Sequence, residues 1–150
     1  GAVATPVPLL EEAAAWLHHH APALDRVSVV HGDAGPGNLV VDGDEVRILT
    51  DFEFTHLGDR REDWAFCVMI RGRRTLDRDQ WLALIAEVTG LEMSDAEWRY
   101  WEAFNRFKGA CANLTALDLF ERGVNRSPNM AIIGARHHHV FLRRLVELIS

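Results

Sequence analysis

A chain of 150 residues with 48% hydrophobic and 25% charged residues has the composition of an ordinary folded protein, and at that length roughly 68–70% of the unfolded chain's surface can be buried around one core. Disordered, collagen-like and coiled-coil classes are excluded. The net charge of −6, with sixteen Lys and Arg scattered singly or in short groups such as Arg71, Arg73 and Arg74, argues against a nucleic-acid partner.

The opening stretch GAVATPVPLLEEAAAW has no basic segment followed by an apolar one, and nowhere do about 18 apolar residues follow one another. We therefore expect a cytoplasmic protein with no membrane partner, and the Pro-containing start reads as a linker within something longer. From Leu9 to His20 strong helix formers put Leu10, Ala13 or Ala14, and Leu17 on one face, and Pro22 ends the helix. The runs His18-His19-His20 and His137-His138-His139 suggest metal clips, but consecutive helical residues point about 100° apart, so three in a row cannot ligate one ion. Val27–Val30 is a β-branched run, followed by a Gly/Pro-rich loop from Gly32 to Gly37. Two further β-rich runs flank Asp42-Gly43-Asp44, a hairpin signal because Gly and Asx residues accept the positive φ of tight turns. Small strands and loops are thus expected from about Asp25 to Asp51.

After Gly58 the periodicity is helical, predicting helices over Arg61–Arg71, Asp77–Thr89, Ser94–Phe120 and Met130–Ile149. Ser94 and Glu97 have capping-box spacing, Gly90 stands where a helix C-cap would, and Gly123 with Ser127-Pro128-Asn129 separates the last two helices. Trp98, Trp101, Phe104 and Phe107 recur every three residues, as a packing face does. Cys67 and Cys111 lie in apolar helical patterns, and one possible pair in so long a chain is no disulfide framework, so reduced, buried thiols are expected. The fold class that follows is α+β, mostly helical, with a short β-hairpin.

Chemistry concentrates in His31-Gly32-Asp33-Ala34-Gly35-Pro36-Gly37-Asn38 and, beyond the hairpin, Asp51-Phe52-Glu53. The loop holds Asp33 near Asn38, and the antiparallel return of the hairpin brings Asp51 back beside Asn38. Mg²⁺ takes hard oxygen ligands, usually one or two from protein carboxylates or amides, and fills its shell with water and phosphates. Asn38 and Asp51 suit that role, leaving Asp33 to accept a proton from an acceptor hydroxyl. Turn chemistry is the plainer reading of each residue alone; their joint spacing favours the catalytic one.

HGDAGPGN, a hairpin, DFE and then GDRREDWAFCV together resemble the C-terminal lobe of the aminoglycoside phosphotransferase and choline kinase group, which shares the protein-kinase-like fold. The match runs in order from His31 to Val68, and the helical remainder suits such a lobe. The resemblance implies ATP as co-substrate and Mg²⁺ as cofactor, Asp33 as catalytic base, Asn38 and Asp51 as metal ligands, and His31 and Asp63 as supports of the catalytic loop, Asp63 from a helix start where it would otherwise read as an N-cap. Glu53, two residues after Asp51, reads equally as an exposed loop charge or as a residue close to the metal. Protein kinases carry Gly in place of Glu53 and Arg in place of Gly32, so the small-molecule branch is favoured.

A working kinase of this fold also needs an N-lobe with a phosphate-covering Gly-rich loop and a strand Lys, and nothing before His31 offers them. Residues 1–150 are therefore expected to form one domain, the C-lobe of a larger phosphotransferase, inactive alone and open to self-association through the apolar surface an N-lobe would cover. A pseudokinase-like binding lobe is the alternative, disfavoured because a decayed site has no reason to keep Asp33, Asn38 and Asp51 together; a metal-dependent hydrolase is a third. The acceptor is a small-molecule hydroxyl of open identity. Glu92, Asp95, Glu97 and Glu102 would suit a cationic acceptor, but such a run is more often a solvated helix face.

Overall fold

The computed structural model describes residues 7–24, 26–70 and 76–150; the linker-like start at residues 1–6, Asp25, and Arg71, Arg73 and Arg74 lie outside the described residues. The chain divides into two compact units, Gly1–Ala21 with Ala103–Ser150, and Pro22–Glu102.

The second of these carries every strand among the described residues. β1 (Val27–Val30) pairs antiparallel with β4 (His56–Asp59), Val30 lying opposite His56. Between them β2 (Leu39–Asp42) and β3 (Glu45–Leu49) form the expected hairpin, with Leu39 opposite Leu49. β4 is a strand the helical periodicity after Gly58 did not announce: at four residues it is too short for a pattern, and its pairing with β1 is what defines it. The hairpin is apolar and uncovered, Val40, Val41, Val46 and Ile48 being exposed. Three helices complete the unit: α2 (Arg61–Ile70), α3 (Arg78–Thr89) and the first turns of α4 (Asp95–Glu121). Ala65, Phe66, Val68, Met69, Ile85, Leu91 and Trp98 are buried, each large one contributing about 1.5–3 kcal/mol.

Helix ends follow local chemistry. Asp77 and Gln80 form a reciprocal capping box at the start of α3, and Gly90 ends it in the left-handed conformation. Ser94 and Glu97 form the capping box read from sequence. Hydrogen bonding from Ser94 first, and Arg61 beside it, hold the Glu97 carboxyl below its usual range.

In the other unit α1 (Pro8–His20) packs on α6 (His138–Ile149). The predicted continuous helix Met130–Ile149 is instead α5 (Pro128–Ile132), a π-helical turn at Ile133–His137, and α6. Packing gives the reason: a Cβ on Gly134 would lie 2.6–2.8 Å from Leu117 Cβ, Cα and N, so the turn around Gly134 presses directly on α4, and bulged turns accommodate such approaches. Among the described residues no group of three or more His, Cys, Asp or Glu could hold a metal ion. His20 Nδ1 bonds to the Trp16 carbonyl one turn back on α1, and His138 Nδ1 to the Gly134 carbonyl in the π-helical turn before α6. Cys67 and Cys111 are free, but half-buried rather than buried. Gly134→Ala forces Leu117 to shift and should cost about 1–3 kcal/mol as overpacking does; an unchanged thermal unfolding midpoint would refute this close approach.

Candidate functional site

The loop after β1 is fixed at its first two residues by one carboxylate. Asp63 Oδ2 accepts the His31 N–H at 2.8 Å and Asp63 Oδ1 accepts the Gly32 N–H at 2.9 Å. Asp63 is the third residue of α2, so it is not the helix N-cap; Asp59 takes the Arg61 N–H at 2.9 Å instead. Arg61 in turn lies on Asp59 through Nε and Nη2, on the Ala23 carbonyl, and on Glu97. Arg61 and Asp59 are 3% and 4% exposed, and an ion pair so buried persists because the guanidinium's fork is satisfied on several sides. This network anchors the start of α2 and with it Asp63. No sequence pattern marks Arg61; for Asp59 the Gly-Asp step before a helix was the available signal.

His31 is 4% exposed. Its Nε2 lies 2.9 Å from the Thr50 carbonyl and its Nδ1 accepts the Asp33 N–H at 3.2 Å, so its partners assign the neutral tautomer with the proton on Nε2. Gly32 has φ +82°, and a Cβ there would sit 2.6 Å from the Phe54 oxygen. The position therefore requires Gly, both for the left-handed backbone and for the space.

Asn38 closes the loop. Its Nδ2 donates to the Asp33 carbonyl at 2.9 Å and to Asp33 Oδ2 at 3.0 Å, which leaves Asn38 Oδ1 and Asp33 Oδ1 as the remaining oxygens of the two side chains. The Asn38 carbonyl accepts from Thr50 N–H at 2.9 Å and Thr50 Oγ1–H at 3.2 Å. Thr50 thus joins the loop to Asp51, a connection that no sequence pattern marked. Asp51 is exposed and has φ 68°, ψ 59°, the single positive φ outside glycine among the described residues. Glu53 is exposed on the 3-10 turn Phe52–Phe54. The donor set of Asn38 Oδ1 and the Asp51 carboxylate is hard oxygen, and it fits a Mg²⁺ that keeps waters and phosphate oxygens for the rest of its shell.

Beneath the loop is a largely apolar cavity of about 350 Å³, lined by Ala34, Leu39, Leu49, Trp64 and Cys67 along with His31, Arg60 and Asp63. Asp33, Asn38 and Asp51 are not among its walls. Burial first, and the charge of Asp63 second, push the Cys67 thiol up, so it stays protonated. Of the acidic residues considered for a cationic acceptor, Glu102 is buried, Glu97 is engaged by Arg61, and Asp95 pairs with Arg78.

Residues 2–104 match the model of the phosphotransferase enzyme family, APH. The chain belongs to that family. The fold agrees: the crystal structure of a candidate aminoglycoside phosphotransferase from Ralstonia eutropha JMP134 superposes with a TM-score of 0.82 at 21% identity, over 97% of this chain and 50% of that one. This APH-family chain therefore spans about half the length of that protein, and its mostly helical architecture with small antiparallel hairpins is that of a kinase-like C-lobe. No curated protein matches it significantly, and no helix among its described residues is long and apolar enough to cross a membrane. Asp63→Ala removes the carboxylate acceptor of both amides and should destabilise the chain by about 1–3 kcal/mol, with faster hydrogen exchange at the His31 and Gly32 amides; unaltered exchange at both would contradict the anchoring role.

Proposed function

We propose that the chain is the catalytic lobe of an ATP-dependent, Mg²⁺-using phosphotransferase that moves the γ-phosphoryl group to a hydroxyl of a small molecule in the cytoplasm. The observation that carries this is the Asn38 amide spanning the Asp33 carbonyl and carboxylate, while Thr50, the residue before Asp51, donates twice to the Asn38 carbonyl.

With Oδ2 occupied by Asn38, Asp33 uses Oδ1 to orient the acceptor O–H and take its proton as the acceptor oxygen bonds to the γ-phosphorus and the bond to the β–γ bridging oxygen breaks. Asn38 Oδ1 and the Asp51 carboxylate would hold Mg²⁺, which, when bound, neutralises charge on the β- and γ-phosphate oxygens. His31 and Asp63 keep the loop that carries Asp33 in place, and Glu53, exposed on the turn after Asp51, would lie near the metal. The left-handed backbone at Asp51 supports the assignment, since such conformations persist where a side chain must be aimed. Retention of all three polar residues speaks against a pseudokinase-like binding lobe.

The activity is assigned to the whole protein, with an N-lobe supplying the Gly-rich loop and Lys. Exposure of Val40, Val41, Val46 and Ile48 suits a hairpin that packs on such a lobe, and the 150-residue chain alone would self-associate through it. Aminoglycosides and choline-like alcohols are the acceptor classes to screen. In the whole protein, Asp33→Asn keeps the shape but removes the base, so transfer should fall by roughly 10²–10⁴-fold with ATP binding little changed. Asp51→Ala should weaken Mg²⁺–ATP engagement as well as turnover. Near-normal transfer by Asp33→Asn to a verified acceptor would sink the assignment.

A further inference from the structure

One buried acid lies outside the groups that the proposed reaction uses. The Glu62 side chain, second in α2, is 2% exposed, and its Oε2 is 3.2 Å from Nε2 of His56, which is 43% exposed. The other ring nitrogen, His56 Nδ1, is 2.9 Å from the Phe54 carbonyl oxygen. Both nitrogens therefore face acceptors. A neutral imidazole has one N–H, so both bonds form only while the pair holds one further proton, on Nε2 or on Oε2.

Other charged groups stand on the elements around the pair, Arg60 just before α2 and the buried Glu102 on α4 among them. β1 places Val30 opposite His56 and carries no titratable group. On α2, Asp63 is taken by the His31 and Gly32 amides, and Arg61 lies on Asp59 and Glu97. On α4, Tyr100 is near enough that the charge of Glu62, after burial, pushes its phenol up. From the catalytic loop, the His31 ring bonds Thr50 and Asp33, and the 3-10 turn brings the exposed Glu53.

Phe54 matters because its backbone lies directly on the catalytic loop: a Cβ on Gly32 would be 2.6 Å from its oxygen, and the neighbouring Thr55 Oγ1–H donates to the His31 carbonyl at 3.4 Å. We propose that His56 is a positioning residue of the site: while the shared proton is present its ring holds the Phe54 carbonyl, and loss of that proton releases the turn after Asp51 from the catalytic loop. When the proton leaves for solvent, the remaining N–H stays on the buried carboxylate, the stronger acceptor, and the Nδ1 lone pair then opposes the Phe54 oxygen. The role rests on the assignment of Asp33, Asn38 and Asp51 to phosphoryl transfer.

The test needs no nucleotide, so it answers separately from that assignment. In the ¹⁵N-labelled 150-residue chain, a pH titration by NMR follows the His56 ring nitrogens together with the Gly32 and Thr55 amides. Both ring nitrogens should be protonated, or one protonated and one bonded to a protonated Glu62, on the acid side, and the two amides should shift with the midpoint of the ring. His56→Gln should abolish that amide shift, and in whole protein with measurable transfer it should remove an alkaline fall in kcat of the same midpoint. Amides that stay still while the ring titrates, amides that move equally in His56→Gln, or a transfer profile unaffected by the substitution would overturn the proposal. The titration of the unaltered chain decides the coupling even where the variant fails to fold.

Discussion

Two backbone N–H groups on one carboxylate hold the site together. Asp63 reaches from the first turn of α2 to the amides of His31 and Gly32, and everything downstream in the loop takes its place from those two residues. A charged acceptor makes such bonds about twice as strong as neutral ones. Its own position depends on the buried Arg61–Asp59 pair at the helix start, so the loop is referred to a rigid helix rather than to solvent. The positive φ at Gly32 then turns the chain so that Asp33 leaves the anchored pair and meets Asn38.

The hairpin does the remaining positioning. Its two strands are exposed and contribute little to a core, yet their pairing returns Thr50 to Asn38, and Thr50 carries Asp51. Asn38 and Asp33 are held by the Asn38 side-chain amide, and the backbone leading to Asp51 by the bonds of Thr50 to the Asn38 carbonyl. That arrangement suits phosphoryl transfer, where the protein's part is to place charges and a base around a reaction whose covalent chemistry is simple.

Much of this was legible from sequence because it is local. The hairpin around Asp42-Gly43-Asp44, the helix limits at Gly90 and Ser94, and the closeness of Asn38 to Asp33 all depend on turn chemistry and short spacings. What escaped depends on partners distant in sequence. β4 exists only through β1; the π-helical turn after Ile132 answers to Leu117; Arg61 gains its meaning from Asp59, Ala23 and Glu97 together. Asp63 was legible as a support of the loop only through the family resemblance, since composition and periodicity alone gave a helix cap. Glu102 read as part of a solvated face and is buried, because the polar side of a long helix need not meet water along its whole length.

The central claim, that Asn38 and Asp51 face the metal–nucleotide complex beside Asp33, is tested most directly by paramagnetic broadening. Mn²⁺–ATP added at substoichiometric levels to the ¹⁵N-labelled chain should broaden the Asn38 side-chain amide and the Asp33 and Asp51 backbone amides before any others, even when binding is weak. Broadening centred on other acidic residues, such as Glu92 and Asp95, with Asn38 and Asp51 left sharp, would contradict the account.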